Sequence, residues 1–260
     1  MDLGLRGKYA LVTGGSHGIG LATATALAEE GCHVAICARD QERISKAVSD
    51  LRAKGVKAIG VSADVLIPSD IEKVTKTIAD AWGRIDILIN NVGGGGRWGS
   101  PVIEETAEDV WVDVYTKNAM AAIRFTRWAI PFMRQQKWGR VVTVASRHGY
   151  EGGGRPWFNM AKSAEISLMK TLGMTPYLVR DGITFNTVAP GGIMIPDTGW
   201  EREMEEDPEG HRRKMDLEFP LGRLGLPEEV ACVIAFLCSE KASLVNGATV
   251  AVDGSESRSF

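Results

Sequence analysis

The 260-residue sequence predicts a doubly wound α/β fold, a parallel sheet covered on both faces and held within a single domain. Three observations carry that expectation. Short β-rich runs alternate with longer helical stretches along most of the chain. The run DILINN (86–91) is almost wholly apolar instead of alternating, as strands buried on both faces are. Hydrophobic residues make up 44% of the chain, enough at this length for one well-buried core.

The elements follow in order. YALVTGG (9–15) reads as a strand stopped by glycines, and the Ala, Leu and Glu content of 19–30 favours a helix after it. HVAICA (33–38), a polar amphipathic stretch over 41–54 and KAIGVSAD (57–64) repeat the alternation. A helix over 71–81 and the strand at 86–91 come next, then a long helix over 107–133 and the strand RVVTVAS (140–146). A helix over 157–178 and the strand ITFNTVAP (183–190) complete the regular part. From 192 to 220 the pattern gives way to charge, methionine and proline. This segment is expected to be a lobe within the domain, because a helix at 227–238 and a strand at 248–254 follow it.

Composition excludes several functions. Net charge is 30 minus 33, or -3, with the signs interspersed, so neither nucleic acid nor an anionic membrane is an expected partner. Cys32, Cys37, Cys232 and Cys238 form no C-x-x-C pair and have no histidines at metal spacing; buried, reduced thiols and no metal are expected. No apolar stretch has signal-peptide or membrane-span length, so the expected location is cytoplasmic.

The first strand runs into TGGSHGIG (13–20), with glycines at 14, 18 and 20. Such a turn lets a pyrophosphate approach the backbone, where free N–H groups and the positive end of the next helix favour an anion. The spacing G-x-x-x-G-x-G, together with NNVG at 90–93, resembles the short-chain dehydrogenase/reductase family, its 3-oxoacyl-reductase-like members in particular. The resemblance spans about residues 7–254 and implies a Rossmann-like fold. It also implies a nicotinamide dinucleotide held by Gly14, Ser16, His17, Gly18, Ile19, Gly20, Asp64, Val65, Asn91, Gly93, Lys162, Pro190, Gly191 and Ile193. At the end of the second strand, ICARD, the family's acidic position holds Ala38 and is followed by Arg39. Arginine pairs with a 2′-phosphate, so NADP(H) is favoured over NAD(H), with Asp40 as the competing NAD ligand.

The resemblance also implies a catalytic set of asparagine, serine, tyrosine and lysine around a hydride transfer to or from a carbonyl or alcohol carbon. Asn118, Ser146 and Lys162 fall at three of these positions; the fourth holds Phe158, four residues before Lys162 and on the same helical face. Phe158 carries no proton. Three readings are open: a reductase whose proton comes from Tyr150, His148 or a water held by Ser146 and Lys162; a protein that binds the dinucleotide without turnover; or an active reductase in which Phe158 was introduced to block proton transfer. Arg97, Trp98, Arg147 and Arg155, on loops at the strand ends, are candidates to hold an anionic carbonyl or alcohol substrate. The lobe, with Trp200, Met204 and Met215, resembles the family's substrate lid. Apolar stretches over 120–133 and 166–174 exceed what one core face needs, and the resemblance implies that these two helices pair in a homo-oligomer, a dimer or tetramer.

Overall fold

The computed structural model describes residues 2–259. Among these residues the strands are β1 (Tyr9–Thr13), β2 (His33–Ala38), β3 (Ala58–Ser62), β4 (Ile87–Asn90), β5 (Gly139–Val144), β6 (Ile183–Pro190) and β7 (Thr249–Val252). They form one parallel sheet in the order β3-β2-β1-β4-β5-β6-β7. The winding direction reverses between β1 and β4, which leaves a crevice at their carboxyl ends, the place where such sheets bind ligands.

The helices, in chain order, are α1 (Gly18–Glu29), α2 (Gln41–Ala53), α3 (Pro68–Trp82), α4 (Glu108–Tyr115), α5 (Ala121–Gln136), α6 (Pro156–Gly173), α7 (Pro176–Val179), α8 (Gly199–Glu206), α9 (Pro208–Glu218) and α10 (Pro227–Cys238). Side chains alternate across β1: Ala10 and Val12 join the core formed with α1, α2 and α10, whereas Leu11 joins the core formed with α3, α5 and α6. Two apolar layers therefore clamp the sheet and fix its carboxyl edge. No helix among the described residues is long and apolar enough to cross a membrane.

Four details differ from the sequence expectations. The helix expected over 107–133 is α4 and α5 joined by a π turn, Thr116–Met120, a widening of the kind that often accompanies functional sites. The helix expected to reach 178 stops at Gly173, where a Cβ would lie 2.7 Å from the Gly247 nitrogen, and Pro176 opens α7 instead. The lobe is two helices broken at Asp207, whose carboxylate accepts from the Gly210 N–H at 2.8 Å; their outer faces are exposed, while Met215 is buried with Phe219 and Leu224 and Trp200 packs against them. Finally, Cys32, Cys37 and Cys238 are buried free thiols, but Cys232 is exposed on the outer side of α10. Burial pushes the Cys32 and Cys37 thiols up to about 12.

Candidate active site

The crevice opens at the end of β1. Thr13 Oγ1 accepts from the Asn91 and Val92 N–H groups at 2.9 and 3.0 Å, and Asn91 Nδ2 donates to the Thr13 carbonyl at 2.9 Å. These bonds stitch the ends of β1 and β4 together. Gly14 leaves the strand at φ +66, and a Cβ on Gly20 would lie 2.2 Å from the Gly14 carbonyl oxygen, so the turn closes only around glycine. The residue before α1, His17, makes no side-chain cap, which leaves N–H groups of the first turn without a side-chain partner. A cradle of this shape fits the pyrophosphate of a dinucleotide.

Two adjoining hollows extend from the turn. One, of about 450 Å³, is lined by Gly14, Ser16, His17, Arg39, Asp64, Val65, Asn91 and Gly93. Asp40 also borders it, but its carboxylate accepts from Glu42 and Arg43 N–H groups at 3.0 Å as the cap of α2. Arg39 makes no ion pair among the described residues. Lys117, which the sequence reading passed over, closes the hollow; burial, then Arg39, draws its ammonium pKa down, and its Nζ lies 4.6 Å from the Trp98 ring centre.

The second hollow, about 860 Å³, runs from His17, Gly18 and Ile19 past Ser146, Phe158 and Lys162 to Pro190, Gly191 and Ile193, with Arg97, Trp98, Trp200 and Arg202 at its outer end. Its floor is built by α6. Lys162 is buried; its Nζ donates to the Val144 carbonyl at 3.0 Å and to Glu165 Oε2 at 2.9 Å. Phe158 forms the adjoining wall, with Lys162 Nζ 5.7 Å from its ring centre. Ser146 Oγ accepts from the His148 N–H at 3.2 Å. Asn118, fully buried on the π turn, does not face the hollow: its Nδ2 donates to Val114 and Gly94 carbonyls at 2.7 and 2.9 Å, and its Oδ1 accepts from the Gly94 N–H at 3.1 Å. It thereby fixes the glycine loop that roofs Lys162.

Several sequence candidates lie outside the hollow. His148 sits behind Phe158, ring centres 6.4 Å apart, and burial, then Arg147, lowers its pKa. The Tyr150 hydroxyl turns toward the C-terminal tail at Ser257 and Asp253, and burial raises its pKa. Neither lines the hollow beside Lys162. Arg147 is also turned away, paired with Glu256 at 2.9 Å and Glu151 at 3.2 Å; Arg155 lies 5.8 Å from the Trp157 ring centre. Of the four predicted substrate residues, only Arg97 and Trp98 line the hollow. Glu165 and Glu256 were not anticipated. Glu256 accepts from the Gly192 N–H at 2.6 Å and so pins the loop after β6 to the tail. An acidic residue three positions from Lys162 on a mostly apolar helix was the available signal for Glu165.

Comparison with known proteins agrees with this geometry. Residues 14–255 match the family model described as enoyl-(acyl carrier protein) reductase. The chain is 35% identical over 251 residues to human dehydrogenase/reductase SDR family member 4, covering 96% of this chain and 87% of that one. It is 33% identical over 256 residues to a putative ketoacyl reductase of Streptomyces coelicolor, covering 95% and 96%. The chain belongs to the short-chain dehydrogenase/reductase family. Among solved structures, the L-sorbose reductase of Gluconobacter frateurii, complexed with NADPH and L-sorbose, superimposes with a TM-score of 0.91 at 34% identity over the whole of both chains. An actinorhodin polyketide ketoreductase variant with NADPH gives 0.88 at 32% identity, covering 97% and 98%. As a short-chain dehydrogenase/reductase the protein is of an oxidoreductase family, and its seven-stranded Rossmann-like sheet is that of its relatives.

Proposed function

We propose that the protein is an NADP(H)-dependent oxidoreductase of the short-chain class acting on a carbonyl or alcohol that carries an anionic group, without a tyrosine acid. The observation that carries this reading is one continuous groove from the glycine turn and Arg39 to Ser146, Phe158 and Lys162. The bound nicotinamide would supply the hydride. Gly14, Ser16, Gly18, Ile19 and Gly20 would hold the pyrophosphate, Asp64 and Val65 the adenine end, and Asn91, Gly93, Lys162, Pro190, Gly191 and Ile193 the nicotinamide end. NADPH-bound relatives support the choice of cofactor, as does the engagement of Asp40 in the α2 cap, which leaves Arg39 to meet a 2′-phosphate.

The proton has to reach the substrate oxygen by another route than a phenol. Ser146 and Lys162 both line the hollow beside Phe158, and a water or substrate hydroxyl held between them is the route the geometry favours over His148 and Tyr150. Losing positioned acid catalysis costs about 10²–10⁴ in rate, so a slow enzyme is expected. The lobe of 192–220 acts as the lid: His17 Nε2 meets the Pro196 carbonyl at 2.8 Å, and Arg97 pairs with Glu203 at 3.0 Å. Arg202 at the outer end, unpaired among the described residues, with Trp98 and Trp200 beside it, favours a substrate with a carboxylate or phosphate. The outward faces of α5 and α6 serve a homo-oligomer, which light scattering on the purified protein tests. The reading as a whole is tested by NADPH oxidation at 340 nm with a panel of neutral ketones, ketosugars and keto acids. Turnover above background, fastest with keto acids, is expected; tight NADPH binding with no turnover on any of them would make the protein a non-catalytic dinucleotide binder.

A further inference from the structure

The floor of the hollow contains a buried ion pair. In the other ion pairs that reach a buried group, the partner keeps more contact with water: Asp86 meets Arg84, Asp181 meets Arg134 and Lys137, and Glu256 meets the partly buried Arg147. Between Lys162 and Glu165 both side chains are withdrawn from water, at 4% and 0% exposure, and Glu165 Oε1 has no hydrogen-bond partner. Around them α6 buries Trp157, Ala161 and Met169. Apolar residues there would give an equally stable helix, since desolvating two charges offsets most of their mutual attraction. The pair is therefore poorly explained as a stabilising element.

Its position offers a better account. On the cavity side of Lys162 stands the Phe158 ring, which has no acceptor; of the ammonium's two protein acceptors, Val144 O comes from a residue at the wall of the hollow and Glu165 Oε2 from outside it. We propose that Glu165 is a positioning residue for Lys162: it fixes the ammonium against Val144 with a donor remaining toward the hollow, and it cancels the positive field of Lys162 at position 158. The floor thus offers a hydrogen-bond donor with no net charge, and it suits a neutral hydroxyl. The anionic end of a substrate is drawn instead to Arg202 under the lobe, which makes no ion pair among the described residues. That orientation rests on the oxidoreductase reading above, whereas the charge cancellation does not.

A phenol placed at 158 reports the local field directly. In Phe158→Tyr the new hydroxyl is titrated by ultraviolet difference absorbance without cofactor, the parent protein serving to subtract its four native tyrosines. With Glu165 present the phenol is expected to titrate at or above the ordinary value of about 10. In Phe158→Tyr/Glu165→Gln, which removes the charge and keeps the side-chain size, it is expected to become at least about tenfold more acidic, one pKa unit. A merely structural ion pair would lower the melting temperature of the double variant and leave the phenol unmoved, and that result overturns the proposal. So does a phenol already a unit or more below its ordinary value in the single variant. Should the double variant not fold, the single variant decides alone: a phenol depressed by a unit or more overturns the proposal, and any higher value supports it. Because no turnover is measured, failure here leaves the NADPH assay to judge the enzyme reading separately.

Discussion

The two ends of the groove are built by different means. At the glycine turn the backbone shapes the site: Gly14, Gly18 and Gly20 pack where a Cβ would meet Asn91, Ile195 and the Gly14 carbonyl, and the sheet holds the turn through Thr13 and Asn91. At the Phe158 end side chains define the site, through a buried lysine, its carboxylate, a serine and an aromatic wall. A backbone site tolerates almost no substitution. A side-chain site permits its chemistry to change while its shape is kept, and Phe158 beside an intact Lys162 is such a change.

The largest expected effect breaks the side-chain end. Lys162→Met leaves the Glu165 carboxylate buried and unpaired and should destabilise the protein by about 3–5 kcal/mol, measured by urea unfolding. The penalty depends on pH. Burial holds the folded pKa of Glu165 above its unfolded value, and without the lysine nothing opposes this. The folded variant then binds the extra proton, so its deficit is smallest below about pH 4.3, the unfolded carboxyl value, and grows as pH rises through the raised folded value. At the backbone end, Gly20→Val forces a side chain against the Gly14 carbonyl, and NADPH affinity, followed by fluorescence titration, should fall by about 100-fold, the equivalent of about 3 kcal/mol. Arg39→Ala sharpens the same end: a lost charged hydrogen bond of about 1.5–3 kcal/mol should reduce the preference for NADPH over NADH by about 10- to 100-fold in dissociation constants. The smallest effect tests the boundary of the side-chain end. His148→Gln should change NADPH oxidation by less than about threefold, under about 0.7 kcal/mol, because the ring lies behind Phe158; complete loss would return histidine to the list of proton donors.

The sheet and the glycine turn were legible because local pattern and tertiary role coincide there. The run 86–91 is apolar since β4 is buried on both faces, and the glycines of 13–20 are spaced as the turn requires. Whether Tyr150 or His148 faces the pocket was not legible in the sequence, for a reason of distance. Their loop is turned outward by Arg147, whose partner Glu256 lies more than a hundred residues away and carries no local mark. The π turn was hidden in the same way, because Asn118 bonds both to its own helix at Val114 and to the remote Gly94. Arg97 and Trp98 were found because the loop after β4 has to cross the crevice.

The bond from Glu256 to the Gly192 N–H bears on how the protein should be handled at the bench. Labels or linkers attached beside Glu256 would sit against a carboxylate that props up the loop after β6. Those attached on α3 border neither hollow. A protein labelled beside Glu256 that loses turnover while its α3-labelled counterpart retains it would therefore report on its own linker and not on the absence of a phenol at 158.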